Sequence, residues 1–124
     1  MEVIKGNLPN LGPLSVAVKK NQMFYTSVIP VYRDGSFETG DFTKQAELAF
    51  GNLQVLVEDA GGSLRDIVQV TVYLTDIHDT PKMNEVWKEF FQDPYPNRAT
   101  LGISSLTVPD LKIELVATAI IEQD

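Results

Sequence analysis

The stretch from Asp41 to Ala60 constrains the fold most, because its apolar residues recur with the period of a helix that buries one face. Ala46, Ala49, Phe50, Leu53, Leu56, Val57 and Ala60 fall on a single stripe. Asp41 or Thr43 is placed to cap the start, and Gly61-Gly62 supplies a left-handed stop. A second helix is predicted from Thr80 to Phe91, with Met83, Val86, Trp87, Phe90 and Phe91 on its apolar side. Asp79 or Thr80 caps it, Pro81 suits its first turn and Pro94 prevents its continuation. Two such stripes need a surface to cover.

The remaining segments supply that surface as strands. Ser15 to Lys19 and Met23 to Ser27 flank the polar pair Lys20-Asn21, which predicts a hairpin. Asp66 to Thr75 alternates, with Val68, Val70, Val72 and Leu74 on one face and Gln69, Thr71 and Tyr73 on the other. Ala99 to Ile103 and Lys112 to Ile121 give two more strands around a loop containing Pro109-Asp110, and a short first strand is expected around Val3 to Lys5. The order strand, strand, helix, strand, helix, strand, strand predicts an α+β fold with two helices on one face of a mixed sheet. At 124 residues, with no linker or low-complexity run, residues 1–124 are expected to form one domain.

The other face of that sheet carries Val116, Thr118 and Ile120 beside Glu114, too apolar to leave in water as a large patch. Self-association through this face covers it, and it brings sites to subunit boundaries. Oligomerisation is the expectation.

Composition narrows the partners. With 44% hydrophobic and 22% charged residues the chain reads as globular. A formal charge of -7 opposes sequence-independent attraction to phosphate backbones or anionic membranes, so neither nucleic acid nor membrane is expected as a partner. There are no cysteines, which removes disulfides, thiolate metal sites and cysteine nucleophiles together. No run approaches the roughly 18 apolar residues of a membrane span, and MEVIKGNLPN lacks the build of a signal peptide. A cytoplasmic protein is expected.

Two charged residues stand out against this background. Arg98 follows a proline-rich stop in PYPNRATLGI, and Glu114 interrupts an otherwise apolar strand. A charge taken out of water without a partner costs several kcal/mol or changes its protonation state. A guanidinium and a carboxylate are also suited to holding an acidic substrate and directing a water at it. The plain alternative is a buried ion pair or a contact between subunits. His78, the sole histidine, precedes a helix cap without metal-ligand company and reads as a solvated turn residue.

Several segments carry a family likeness: GPLSVAV, YTSVIPV, NLQVLVEDAGGSLRDIVQVTVYLTDIHDTPKMNEVWKEFF, YPNRATLGI and KIELVATA. In these the chain resembles the RidA (YjgF) family of reactive intermediate deaminases, and the Pro-x-Arg followed by a strand and KIE is the specific part. The resemblance implies a chorismate-mutase-like homotrimer with clefts between subunits, and hydrolysis of enamines and imines such as 2-aminoacrylate. It implies that Arg98 clamps the substrate carboxylate, that Glu114 orients the water, and that Ser27 and Asn84 line the cleft. It also marks departures. Leu14 stands where relatives commonly have tyrosine, Ser27-Val28-Ile29-Pro30 is one residue shorter than the common Ser-Gly-Gln-Ile-Pro, and Thr100 replaces a frequent cysteine. Leu14, Val28 and Thr100 are therefore expected to give an altered pocket wall that favours bulkier, more apolar imines.

The implied chemistry needs neither metal nor organic cofactor, since an imine carbon is already electrophilic and requires only positioning and a water. Three functional classes follow: an imine or enamine deaminase, a non-catalytic trimeric module binding small carboxylates, and the ribonuclease or translation-inhibitor role attached to some relatives. Acidity counts against the third.

Overall fold

A computed structural model describes residues 1–122 of the chain. Its strands are β1 (Glu2–Ile4), β2 (Ala17–Lys20), β3 (Met23–Val28), β4 (Ile67–Leu74), β5 (Asn97–Gly102) and β6 (Ile113–Ile120), and its helices are α1 (Phe42–Asp59) and α2 (Thr80–Phe90). The strands form one sheet in the order β1-β2-β3-β6-β4-β5. β4 and β5 are parallel, joined across α2, and every other neighbouring pair is antiparallel. This is the mixed α+β sheet expected from the sequence. The β2–β3 hairpin turns at Asn21, whose φ of 56° lies in the left-handed region that asparagine tolerates.

Both helices pack on one face. Phe24 and Val28 of β3, Val70, Val72 and Leu74 of β4, and Leu115, Ala117 and Ala119 of β6 are buried in one core with Phe50, Leu53, Met83 and Trp87. Phe50 anchors it, edge-on to Trp87 at 5.9 Å and to Phe91 at 6.2 Å between ring centroids, a favoured aromatic geometry. Every predicted stripe residue of α1 is buried.

The ends of α1 follow from local chemistry. Asp41 accepts from the Lys44 N–H at 3.0 Å, the expected cap. Gly61, at φ 93°, donates to the Glu58 carbonyl and Gly62 to that of Val57, the pair of bonds of a Schellman stop. At α2, Asp79 holds the cap position without a side-chain hydrogen bond. The preceding 3-10 turn is capped instead, with Asp76 accepting from the His78 N–H.

One expectation about β4 fails. Val68 was placed on the core face, yet it is 43% exposed, and Ile67 is buried in its stead. The pairing with β6 slips between Ile67 and Gln69, so Val68 is the extra residue of a bulge and the alternation restarts after it.

The opposite face of the sheet is open in the single chain. Tyr25, Val68, Leu101, Val116 and Ile120 are exposed there or at its margin. No helix among the described residues is long and apolar enough to cross a membrane.

Candidate active site

Register decides which face each charged residue uses, because paired residues in adjacent strands share a face. Arg98 pairs with Val70, a core residue of β4, so its side chain goes to the helix side. Glu114 pairs with Tyr73 and lies on the open side. β4 separates their strands, which puts the two positions about 10 Å apart across the sheet and about 10 Å along it, on opposite faces. An Arg98–Glu114 ion pair within one chain does not form.

Arg98 occupies a recess of about 390 Å³ at the β5 edge, lined by Asn84, Trp87, Lys88, Tyr95 and Pro96. Its guanidinium carbon sits 4.7 Å from the centroid of the Trp87 ring, and Nη1 donates a weak bond to Met83 Sδ at 3.7 Å. Partial burial lowers the guanidinium pKa from its usual value, yet it remains a cation. No carboxylate among the described residues pairs with it. The indole thus braces the planar group and leaves most of its donors available.

Asn84, Trp87 and Lys88 meet Arg98 together because positions three and four apart on α2 share a face. Trp87 is both a core anchor and the shelf beneath the guanidinium. Periodicity shows only the first role.

Glu114 lies in a second recess, of about 340 Å³, with Leu14 and Ser27. Ser27 pairs with Val116 one step along the open face, which brings it beside Glu114. The remaining wall is mostly apolar and includes Ile29, Phe37, Leu106 and Leu111. Glu114 has no hydrogen-bond partner among the described side chains, and burial alone raises its carboxyl pKa. A carboxyl moved toward neutrality is better matched to proton transfer than an ordinary glutamate. Phe37 and the Leu106–Leu111 wall were not foreseen, since loops carry no periodic signal.

The remaining candidates divide. Val28 was expected in the pocket wall, but it is 2% exposed and faces α1 in the core, so its side chain does not shape the recess. Thr100 pairs with Val72 on the helix side of β5 and lines neither recess. Of the three departures, Leu14 and the shortened Ser27–Pro30 segment, through Ile29, border the Glu114 recess, and Thr100 does not. His78 is exposed, as expected of a turn residue. No group of three or more His, Cys, Asp or Glu side chains suited to a metal ion occurs among the described residues.

This fold and these residues match known proteins along nearly the whole chain. The family model described as Endoribonuclease L-PSP matches residues 5–121. A RutC family protein of Pyrococcus abyssi is 40% identical over 111 residues, covering 88% of this chain and 87% of that protein. A 2-iminobutanoate/2-iminopropanoate deaminase of Dermatophagoides farinae is 33% identical over 114 residues, covering 90% and 88% respectively. The crystal structure of Escherichia coli TdcF with bound serine superposes with a TM-score of 0.90 at 33% identity, covering 98% of this chain and 100% of that one. From sequence and fold together, the chain belongs to the YjgF/RidA family, which includes reactive intermediate deaminases.

Proposed function

We propose that the protein hydrolyses small 2-imino and 2-enamino acids to 2-oxo acids and ammonia without a cofactor, in clefts between the chains of a homotrimer. One observation carries this reading. Among the described residues Arg98 and Glu114 each stand without a charged partner, in separate recesses on opposite faces of one sheet. A site that uses both takes Arg98 from one copy and Glu114 from another. The exposed Tyr25, Val116 and Ile120 supply apolar surface for such a contact.

The chemistry proceeds from this geometry. Arg98 grips the substrate carboxylate through two parallel N–H donors, which fixes the C2 carbon. Glu114 accepts a proton from a water as its oxygen attacks C2 of the protonated imine, which gives a neutral carbinolamine. Glu114 then returns that proton to the nitrogen, and as ammonia leaves and the C=O bond forms, the hydroxyl proton passes back to the freed carboxylate. An enamine first gains a proton at C3 and becomes the protonated imine. Ser27 is placed to contact the nitrogen or carboxylate, and Asn84 belongs to the clamp side.

The bound serine of the TdcF crystal structure, an amino acid with a carboxylate, and the name of the mite deaminase both support this substrate class. The ribonuclease reading suggested by the family model's description conflicts with a net charge of -7. Leu14 and its apolar neighbours favour imines of leucine or methionine at least as well as 2-aminoacrylate. Imines generated by an amino acid oxidase across a side-chain series, read by semicarbazide trapping, test both points. A dehydratase releasing 2-aminoacrylate provides the small member. Faster 2-oxo acid formation supports the proposal, and a clear preference for 2-aminoacrylate refutes the apolar-wall reading. Carboxylates that raise the melting temperature without any imine being consumed would instead identify a non-catalytic binding module.

A further inference from the structure

Two walls of the Glu114 recess are irregular backbone. The connection between β3 and α1 contributes Ile29 and Phe37, and that between β5 and β6 contributes Leu106, Val108 and Leu111. Such segments hold a fixed shape only where something ties them down. The ties come from two buried amides on α1.

Gln45 is fully buried on the helix. Its Nε2 donates to the Gly40 carbonyl at 3.2 Å and to the Asp110 carbonyl at 3.0 Å, and its Oε1 accepts from the Lys112 N–H at 2.8 Å. The carbonyl of 110 and the amide of 112 are the groups an adjacent parallel strand would engage around residue 111. A side-chain amide thus stands in for a strand and fixes Leu111, whose side chain lines the recess. Lys112 then leads directly into β6, two residues before Glu114. Asn52, two turns along α1, holds the other wall by donating to the carbonyls of Ile29 at 3.1 Å and Val31 at 2.9 Å. A buried amide is costly unless hydrogen-bonded, and here the partners are the walls themselves.

We propose that Gln45 is a positioning residue, which sets the Leu111–Glu114 wall and so aims the Glu114 carboxyl at the attacking water without touching substrate. This rests on the reading of Glu114 as the group that activates water. No other titratable side chain among the described residues lines the recess; Tyr73 faces Glu114 from β4, and Lys112 lies just before β6. Loosening the wall readmits water to Glu114, so its titration reports the wall directly.

The test uses the full chain with carboxyl-13C glutamate, Glu114→Gln identifying the resonance, and Gln45→Met as an apolar variant of similar length. Gln54→Met, whose amide bonds only Glu58, is the control. Gln45→Met is expected to keep its oligomer and helix content, lose on the order of 10- to 100-fold in kcat with KM nearly unchanged, and shift the Glu114 midpoint down toward the ordinary carboxylate range. If Gln45→Met does not fold, Gln45→Leu, likewise apolar and uncharged, takes its place with the same expectation. A folded Gln45 variant with wild-type kcat and an unmoved Glu114 resonance, while Glu114→Gln is inactive, overturns the proposal and leaves the deaminase reading standing. Full activity of Glu114→Gln removes the role of Glu114 itself, and this inference with it.

Discussion

Replacing Arg98 by alanine separates a binding role from a structural one, because the two predict effects of different size. In the folded chain Arg98, on the edge strand β5, makes a cation–π contact with Trp87 at 4.7 Å and a weak bond to Met83, with no salt bridge among the described residues. The stacked cation contributes about 0.5–2 kcal/mol, so Arg98→Ala is expected to cost about 1–2 kcal/mol of stability, or roughly 3–6 °C in Tm. The proposed carboxylate clamp predicts a larger effect on catalysis. Two charge-assisted hydrogen bonds to a carboxylate are worth about 1.5–3 kcal/mol each, which corresponds to on the order of 10²- to 10⁴-fold in kcat/KM. Arg98→Lys keeps the charge but loses the planar fork and the stacking on indole, so it recovers only part of that loss. Oxidase-generated imines with semicarbazide trapping give the rates, and thermal melts with light scattering on the same samples give fold and assembly. An activity loss below about tenfold would show that the clamp does not hold the carboxylate. A collapse of the fold would show that Arg98 is structural.

Light scattering at micromolar concentration should give a mass about three times 13.8 kDa, since the open face and the divided site both call for copies; a stable, fully active monomer would remove the shared cleft. Glu114→Gln should raise Tm at neutral pH while abolishing turnover. The sign follows from linkage: burial raises the folded-state pKa of Glu114 above its unfolded value, so the folded state binds the extra proton and stability falls as pH rises through that window. The gain over wild type should vanish below the ordinary carboxylate range, and melts showing a pH-independent difference would contradict this origin. Gly62→Ala should destabilise by about 1–3 kcal/mol in urea unfolding, because a Cβ there would lie 2.8 Å from both Asp66 Oδ2 and Ile121 Cγ1; an unchanged midpoint would show that the turn relaxes freely.

The elements were legible wherever burial follows a single period. The stripes of α1 and α2 are read directly from residue spacing, and the observed core confirms them. Val68 was misplaced because a bulge inserts one residue without any compositional mark. Val28 shows the opposite case, since the alternation of β3 already sends Phe24, Thr26 and Val28 inward, and only the family likeness suggested a place in the pocket wall. Gln45 and Asn52 left a faint trace as polar residues seven apart beside the apolar stripe of α1. What they hold is backbone distant in sequence, so their role required coordinates.

The face of each charged residue was the least legible feature, and it matters most for the chemistry. Had Arg98 and Glu114 met within one chain, the guanidinium would have favoured the ionised carboxylate and lowered its pKa. The same pairing would have occupied the fork that a substrate carboxylate needs. Opposite faces avoid both losses: the guanidinium rests on indole, which stabilises a cation without neutralising it. The carboxyl stays in an apolar recess that raises its pKa. In the homotrimer proposed above, assembly of copies brings the two groups into one cleft only where a substrate can stand between them, its carboxylate toward Arg98 and its C=N carbon toward Glu114. On this view oligomerisation covers an apolar sheet face and also keeps acid and base from quenching each other before the substrate arrives.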